Sequence, residues 1–199
     1  MDMTNIRRTT FFVLTLFTAG MLLAASGAEP QRHRRQRRSH RQGRKLQRMM
    51  NHVLGHHAEY ALYEVDGKRF AMIKQGDEHS IGLFTIDYSQ AEGYRGITNS
   101  LVMMDLQGVV KEVRILDSED TPPYVKRIVR KGFLKQFSGM KTGENREVDA
   151  VTGATITCDA IKQSVNETLK AFASIAESVD FSNGTPEARG EMCELKRIE

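Results

Sequence analysis

The run Asp149-Ala150-Val151-Thr152-Gly153-Ala154-Thr155-Ile156-Thr157 gathers an acid, three hydroxyls and a Gly-Ala pair in one short stretch. Glycine admits a backbone with positive φ and the close approach of a ligand. Thr155 and Thr157 stand where the amphipathic pattern that follows would start a helix. Threonine there accepts hydrogen bonds from free backbone N–H groups, and the N-terminal end of a helix favours a phosphate. The chemistry on offer is hydroxyls presented to an anion at a helix start. The same residue types also make an ordinary helix cap, and the pattern alone leaves both readings open.

Other residues invite the same question. Ala91-Glu92-Gly93-Tyr94-Arg95-Gly96 sets an aromatic and a cation between two glycines, as a plain turn or as a loop that approaches a ligand. His52 and His56 are spaced to share one helix face, but no third metal ligand is evident, so no metal is assigned. Cys158 and Cys193 match no C-x-x-C redox or zinc spacing. In an exported protein they can pair.

The elements that must hold these residues are legible as runs. Glu59–Val65 and Lys68–Lys74 flank Asp66-Gly67, a strong hairpin signal. Ser80–Asp87 reads as a further strand. Ile97–Asp105 and Val109–Leu116 flank Leu106-Gln107-Gly108 as a second hairpin. Strands before helices predict an α+β domain with a mostly antiparallel twisted sheet and flanking helices. Pro122 suits a first helical position with Thr121 as N-cap. That helix is expected to run to about Phe137, with Val125, Ile128, Val129, Phe133 and Phe137 as its apolar stripe. A second helix is expected from about Thr157 to Ala176, burying Ile161, Val165, Leu169 and Phe172, with Asp159 in its first turn.

Charge divides the chain. Residues 31–48 hold nine arginines and lysines and no acid. From residue 49 onward there are 18 basic and 23 acidic residues, so the body carries −5 although the whole chain carries +4. The basic character belongs to a linker, expected to be solvated. The linker suits an anionic membrane surface. Without interleaved aromatics it offers no base stacking, which argues against nucleic acid. Before it, Arg7 and Arg8 precede the apolar run Phe11–Ala25 and the small residues Ser26-Gly27-Ala28. This reads as an export signal or N-terminal anchor, the run being short for a membrane span. The adjacent arginines also raise a twin-arginine signal, to which the surrounding residues fit poorly. Positive charge directly after the apolar run pulls against export. The expected organisation is a signal or anchor over 1–28, a basic linker over 29–58, a single domain over 59–180 and a polar tail over 181–199.

The motif D-A-V-T-G-A-T-I-T resembles the flavinylation motif of the FMN-binding domain family. Flavin subunits of the Na+-translocating NADH:quinone reductase and of Rnf-type electron-transport complexes belong to that family. The resemblance extends over roughly Tyr88 to Ala173. G-Y-R-G is similar to the family's glycine-tyrosine motif, and Gly96–Leu116 fits its hairpin. The family's Glu-Thr-Pro-Gly stands here as Asp120-Thr121-Pro122-Pro123, and Cys158 occupies a position where the family often has serine. The resemblance implies covalent FMN on Thr155 through a phosphoester. It implies Asp149, Thr152, Gly153, Ala154 and Thr157 as its immediate setting, with Gly93, Tyr94, Gly96 and Thr121 as supporting residues. It also implies a separate Mg2+-dependent FAD:protein FMN transferase, because a threonine hydroxyl is a poor nucleophile and no convincing base stands beside this one in the sequence.

The expected function is therefore an exported, periplasmic or extracytoplasmic electron carrier whose redox partner proteins can be membrane-bound. Two other classes compete with it. One is a non-redox, membrane-associated interaction module in which the threonine turn is only structural. The other is a small flavin reductase, against which the lack of a nicotinamide-binding glycine motif counts.

Overall fold

The computed structural model describes residues 43–55, 58–144, 146–189 and 194–198. Residues 1–28, most of the arginine block, His56, His57 and Cys193 lie outside the described residues. The chain divides into two compact units, 1–47 and 48–199. Residues 43–54 are helical, α1, where the sequence predicts only linker.

The sheet is built from hairpins. Strands β1 (Ala58–Val65) and β2 (Lys68–Gln75) pair antiparallel in full register. Asp66 and Gly67 turn the chain with φ of 51° and 75°, as the tight two-residue hairpin turn requires. β3 (Glu78–Phe84) returns along β2 and ends in a 3-10 turn at Thr85–Asp87, where the sequence predicts continued strand. Thr85 Oγ1 takes the Ser100 N–H and Asn99 Oδ1 takes the Ile86 N–H, so the turn is welded to the bulge at Asn99/Ser100. β4 (Thr98–Met104) and β5 (Val110–Ser118) complete the central hairpin. At its tip, the Asp105 carboxylate accepts the N–H groups of Gln107 and Val109.

Two helices follow, α2 (Pro122–Arg130) and α3 (Thr155–Ser178). α2 is shorter than predicted. Gly132 takes φ of 74°, and a 3-10 turn at Phe133–Phe137 replaces the last turns. Ile128, Phe133 and Phe137 are buried as predicted, but Val129 is exposed because the stripe is broken at that bend. α3 buries Ile161, Val165, Leu169 and Phe172 as expected. It begins two residues before the predicted start, so Asp159 falls beyond its first turn.

The expected polar tail is not loop throughout. β6 (Val179–Asp180) pairs with β7 (Glu187–Ala188). β8 (Leu195–Ile198) joins the outer edge of β1. The large sheet has the order β5-β4-β3-β2-β1-β8, and every neighbouring pair is antiparallel. The fold is α+β, as the run of strands before helices predicts.

Alternation along the strands divides the core between two faces. Phe70, Met72, Ile81, Leu83, Val102, Met104 and Val113 join the α2 and α3 residues in one apolar cluster. Ala71, Ile73, Leu101 and Met103 point the other way and are also buried. Gly82 lies among them, and a Cβ there would meet Ile73 and Leu101 at 2.9 Å. From residue 48 on, α1 covers this second face. Met50 and Leu54 are buried, Arg114 donates to the Val53 carbonyl, and Tyr60 Oη donates to Asn51 Oδ1.

Candidate functional site

Thr155 is the first residue of α3, and Ala154 is the N-cap. Gly153 supplies the turn with φ of 78°, a conformation that costs a residue with a Cβ about 1–2 kcal/mol. The turn closes with a bond from Ala154 N–H to the Val151 carbonyl, and the first helical bond runs from Cys158 N–H to Ala154 O. The N–H groups of Thr155, Ile156 and Thr157 are therefore the unpaired donors of the helix start.

The expectation that threonine hydroxyls cap this helix is not met. No side chain caps it. Thr155 is exposed, and its hydroxyl makes no hydrogen bond among the described residues. Thr157 is only 1 % exposed, and its hydroxyl donates to Asp120 Oδ2 at 2.5 Å. Threonine capping fails here because Thr157 sits inside the helix, where its side chain reaches a buried acid instead.

Asp120 is the hub of the site. It is 3 % exposed. Its Oδ2 also accepts the Tyr94 N–H at 3.0 Å, and its Oδ1 accepts the Thr121 N–H at 2.7 Å. Burial pushes the carboxyl towards its neutral form, but the bonds from Thr157, Thr121 and Tyr94 outweigh it and hold the pKa below the usual carboxylate value. One carboxylate thus ties together the 93–96 loop, the start of α2 and the start of α3.

The loop glycines owe their identity to this approach. A Cβ on Gly93 would lie 2.3 Å from Asp120 Oδ2, and one on Gly96 would lie 2.6 Å from Glu119 Oε2. Gly93 N–H closes the loop onto the Gly96 carbonyl at 2.9 Å. Tyr94 projects from the loop, 59 % exposed, with its ring edge-on to Tyr124 of α2 at 6.2 Å. Thr121 stands at the N-cap position of α2, as predicted, but its hydroxyl does not cap. That hydroxyl is buried without a hydrogen-bond partner among the described residues.

On the other side of the turn, Gln136 clamps the Asp149 backbone. Its side-chain amide donates to Asp149 O at 3.1 Å and accepts from Asp149 N at 3.0 Å. Cys158 Sγ accepts the Val151 N–H at 3.4 Å. Burial pushes that thiol's pKa up, and the Asp159 charge adds to this against the opposing Val151 bond. A groove of about 510 Å³ runs beside the motif, lined by Arg127, Lys131, Gln136 and residues 149–152.

The structure brings every predicted site residue to this region. Asp149, Thr152, Gly153, Ala154, Thr155 and Thr157 share the turn, while Gly93, Tyr94, Gly96 and Thr121 join it through Asp120. Sequence reasoning missed Asp120, Gln136 and Arg127 as site residues. Asp120 had a signal, since it stands at the acidic position ahead of Thr-Pro. Gln136 and Arg127 had none, because only folding brings them against the motif.

Residues 93–170 match the model of the FMN-binding domain family. Among curated proteins no significant match is found. The matched segment begins at the Gly93 loop and ends within α3, so it contains all ten predicted site residues.

Proposed function

We propose, from the premise that residues 93–170 form an FMN-binding domain, that this protein is an electron carrier holding FMN covalently on Thr155. The observation that carries the reading is the contrast between Thr155 and Thr157. Thr155 offers an exposed, unbonded hydroxyl at the first position of a 24-residue helix. Thr157 is buried and committed to Asp120.

The residues present fit the group. A phosphoester on Thr155 would lie beside the unpaired N–H groups and the positive end of the α3 dipole. Gly153 adds no Cβ to the turn. Exposed Tyr94 and Ile156, the latter 56 % exposed, offer apolar surface near the same helix start. Asp120 holds Tyr94's backbone and Thr157 in place, and Gln136 fixes the chain leading into the turn. Bound FMN supplies electron transfer in one- or two-electron steps, and the protein supplies placement and electrostatics.

Among the described residues no base contacts the Thr155 hydroxyl, so the proposed attachment is assigned to a partner enzyme. In the proposed reaction the Thr155 oxygen bonds to the FMN phosphorus of FAD. The pyrophosphate bond breaks, AMP leaves, and the hydroxyl proton passes to the Mg2+-dependent FAD:protein FMN transferase. Redox partner proteins, some of them membrane-bound, would then give and take electrons. The apolar run before residue 28 supports an exported, extracytoplasmic carrier, where a tethered flavin is not lost by dilution. The arginine-rich linker would lie along anionic lipid.

The test is co-expression with a flavin transferase, followed by in-gel flavin fluorescence and peptide mass. Thr155→Ala should abolish covalent flavin, while Thr152→Ala should retain it. Thr157→Ala should lose stability before it loses flavin. Flavin retained in Thr155→Ala, or a wild type left unmodified by active transferase, would refute the proposal.

A further inference from the structure

The groove beside the motif contains two cations and one acid, and among the described residues no ion pair joins them. Arg127 and Lys131 lie one turn apart on α2 and just beyond it, and both line the groove. Neither makes an ion pair among the described residues. Asp149 lines the same groove without pairing to either.

Arg127 is half-buried and placed. Its Nη1 would lie 2.5 Å from a Cβ on Gly153, so the guanidinium rests on the glycine of the turn. Its one hydrogen bond is long, 3.4 Å to the Thr152 carbonyl. A guanidinium carries five N–H donors, so most of its capacity remains open. Gly153 is two residues from Thr155, and two Cα–Cα steps span at most about 7.6 Å.

The nearest acids are Asp149, which lines the groove, and Asp159, exposed four residues beyond Thr155 on α3. The first turn of α3 holds no acidic residue, and its three free N–H groups already attract negative charge. The Asp120 carboxylate is buried and committed to three donors. From these observations we infer that Arg127 and Lys131 form the receiving site for a phosphodiester anion on Thr155. The inference rests on the carrier reading for the identity of that anion. It gives the groove a binding role. Arg127 approaches the turn from the side and contributes a planar donor fork suited to phosphoryl oxygens. Lys131 adds a mobile point charge.

The experiment has two arms. The first uses the unloaded protein and a charge at position 155 that needs no flavin. Thr155→Glu and Thr155→Gln are compared in the wild-type background and in Arg127→Gln/Lys131→Gln. The cycle cancels the helix-dipole effect, which is common to both backgrounds. With both cations present, exchanging Gln for Glu should raise the thermal midpoint by about 1–2 °C more than without them. The excess should vanish in about 0.5 M salt. Arg127→Lys, which keeps the charge, should keep about half of it or more.

The second arm compares the midpoint of flavin-loaded and unloaded protein in the same backgrounds, with intact mass confirming loading. Loading should stabilise wild type more than Arg127→Gln/Lys131→Gln. An additive cycle in the first arm would overturn the inference. Slower loading with no difference in loaded stability would also overturn it, placing the charges in transferase docking instead. If wild type is never loaded, the carrier reading falls, and the first arm alone decides whether the cations reach position 155.

Discussion

Replacing Asp120 with asparagine tests the site at its hub. The substitution keeps size and shape but removes the charge and one of two acceptor atoms. Three donors point at this carboxylate in the native state: Thr157 Oγ1, Tyr94 N and Thr121 N. Asparagine can satisfy those on one oxygen, and its amide nitrogen then faces N–H groups that cannot accept. Thr157 can turn to accept from that amide, but the Tyr94 N–H cannot. A hydrogen bond to a charged group contributes about 1.5–3 kcal/mol, and a stranded buried donor costs about 1–3 kcal/mol. The net expectation is a loss of ~3 kcal/mol. For a domain of this size it lowers the thermal midpoint by about 6–12 °C.

The pH dependence gives a second, sharper readout. The folded pKa of Asp120 lies below its unfolded value, so the contribution is fully present above the unfolded value, about 3.9. It is lost as pH falls through the lowered folded value. The gap between wild type and Asp120→Asn should therefore hold constant from neutral pH to about pH 5 and then close in acid. Circular dichroism melts across that range measure it. A gap under about 2 °C at neutral pH would refute the reasoning, as would a gap that persists unchanged where the wild type is protonated. Either result would mean that these three bonds do not organise the site.

Other expectations follow from the same geometry. Gly153→Ala should cost about 1–2 kcal/mol from its positive φ and displace Arg127, lowering both the midpoint and flavin loading in the co-expression assay. Cys158 should react with iodoacetamide about tenfold or more slowly in native protein than in denaturant, because it is buried and its thiol pKa is raised; peptide mass on its tryptic fragment reads this. Met50→Ala should cost about 2–4 kcal/mol in urea unfolding, since Met50 is fully buried in the second face of the sheet. Truncation after Glu194 should remove β8, lower the midpoint by about 2–4 °C for each kcal/mol lost, and leave the β1 edge open to self-association visible by light scattering.

The sequence by itself determined what depends on near neighbours. Asp66-Gly67 fixed its hairpin because few residues accept two successive positive φ angles. Ile161, Val165, Leu169 and Phe172 declared a helix face through their spacing, and Gly153 marked the turn before it. The motif's resemblance singled out Thr155 among three nearby threonines as the expected attachment point, and the family model matches the segment that contains it. The local arrangement alone, a hydroxyl beside a Gly-Ala pair at a helix start, left an ordinary cap and an anion site both open.

Tertiary structure decided what depends on distant partners. Thr157 looked like a cap and became a donor to Asp120, 37 residues earlier in the chain. Thr121 held its predicted position while its hydroxyl was turned into the interior. The tail beyond Asn183 read as polar loop, yet β8 gained its hydrogen bonds from the free edge of β1. Residues 43–54 read as basic linker because their charges dominate, although Met50 and Leu54 are the part that folding buries. Arg127 carried no local sign of its role, because its resting place against Gly153 is set by how α2 meets the turn before α3. Hydrogen bonding and burial are settled between surfaces that the chain brings together only on folding, and spacing along the sequence encodes neither.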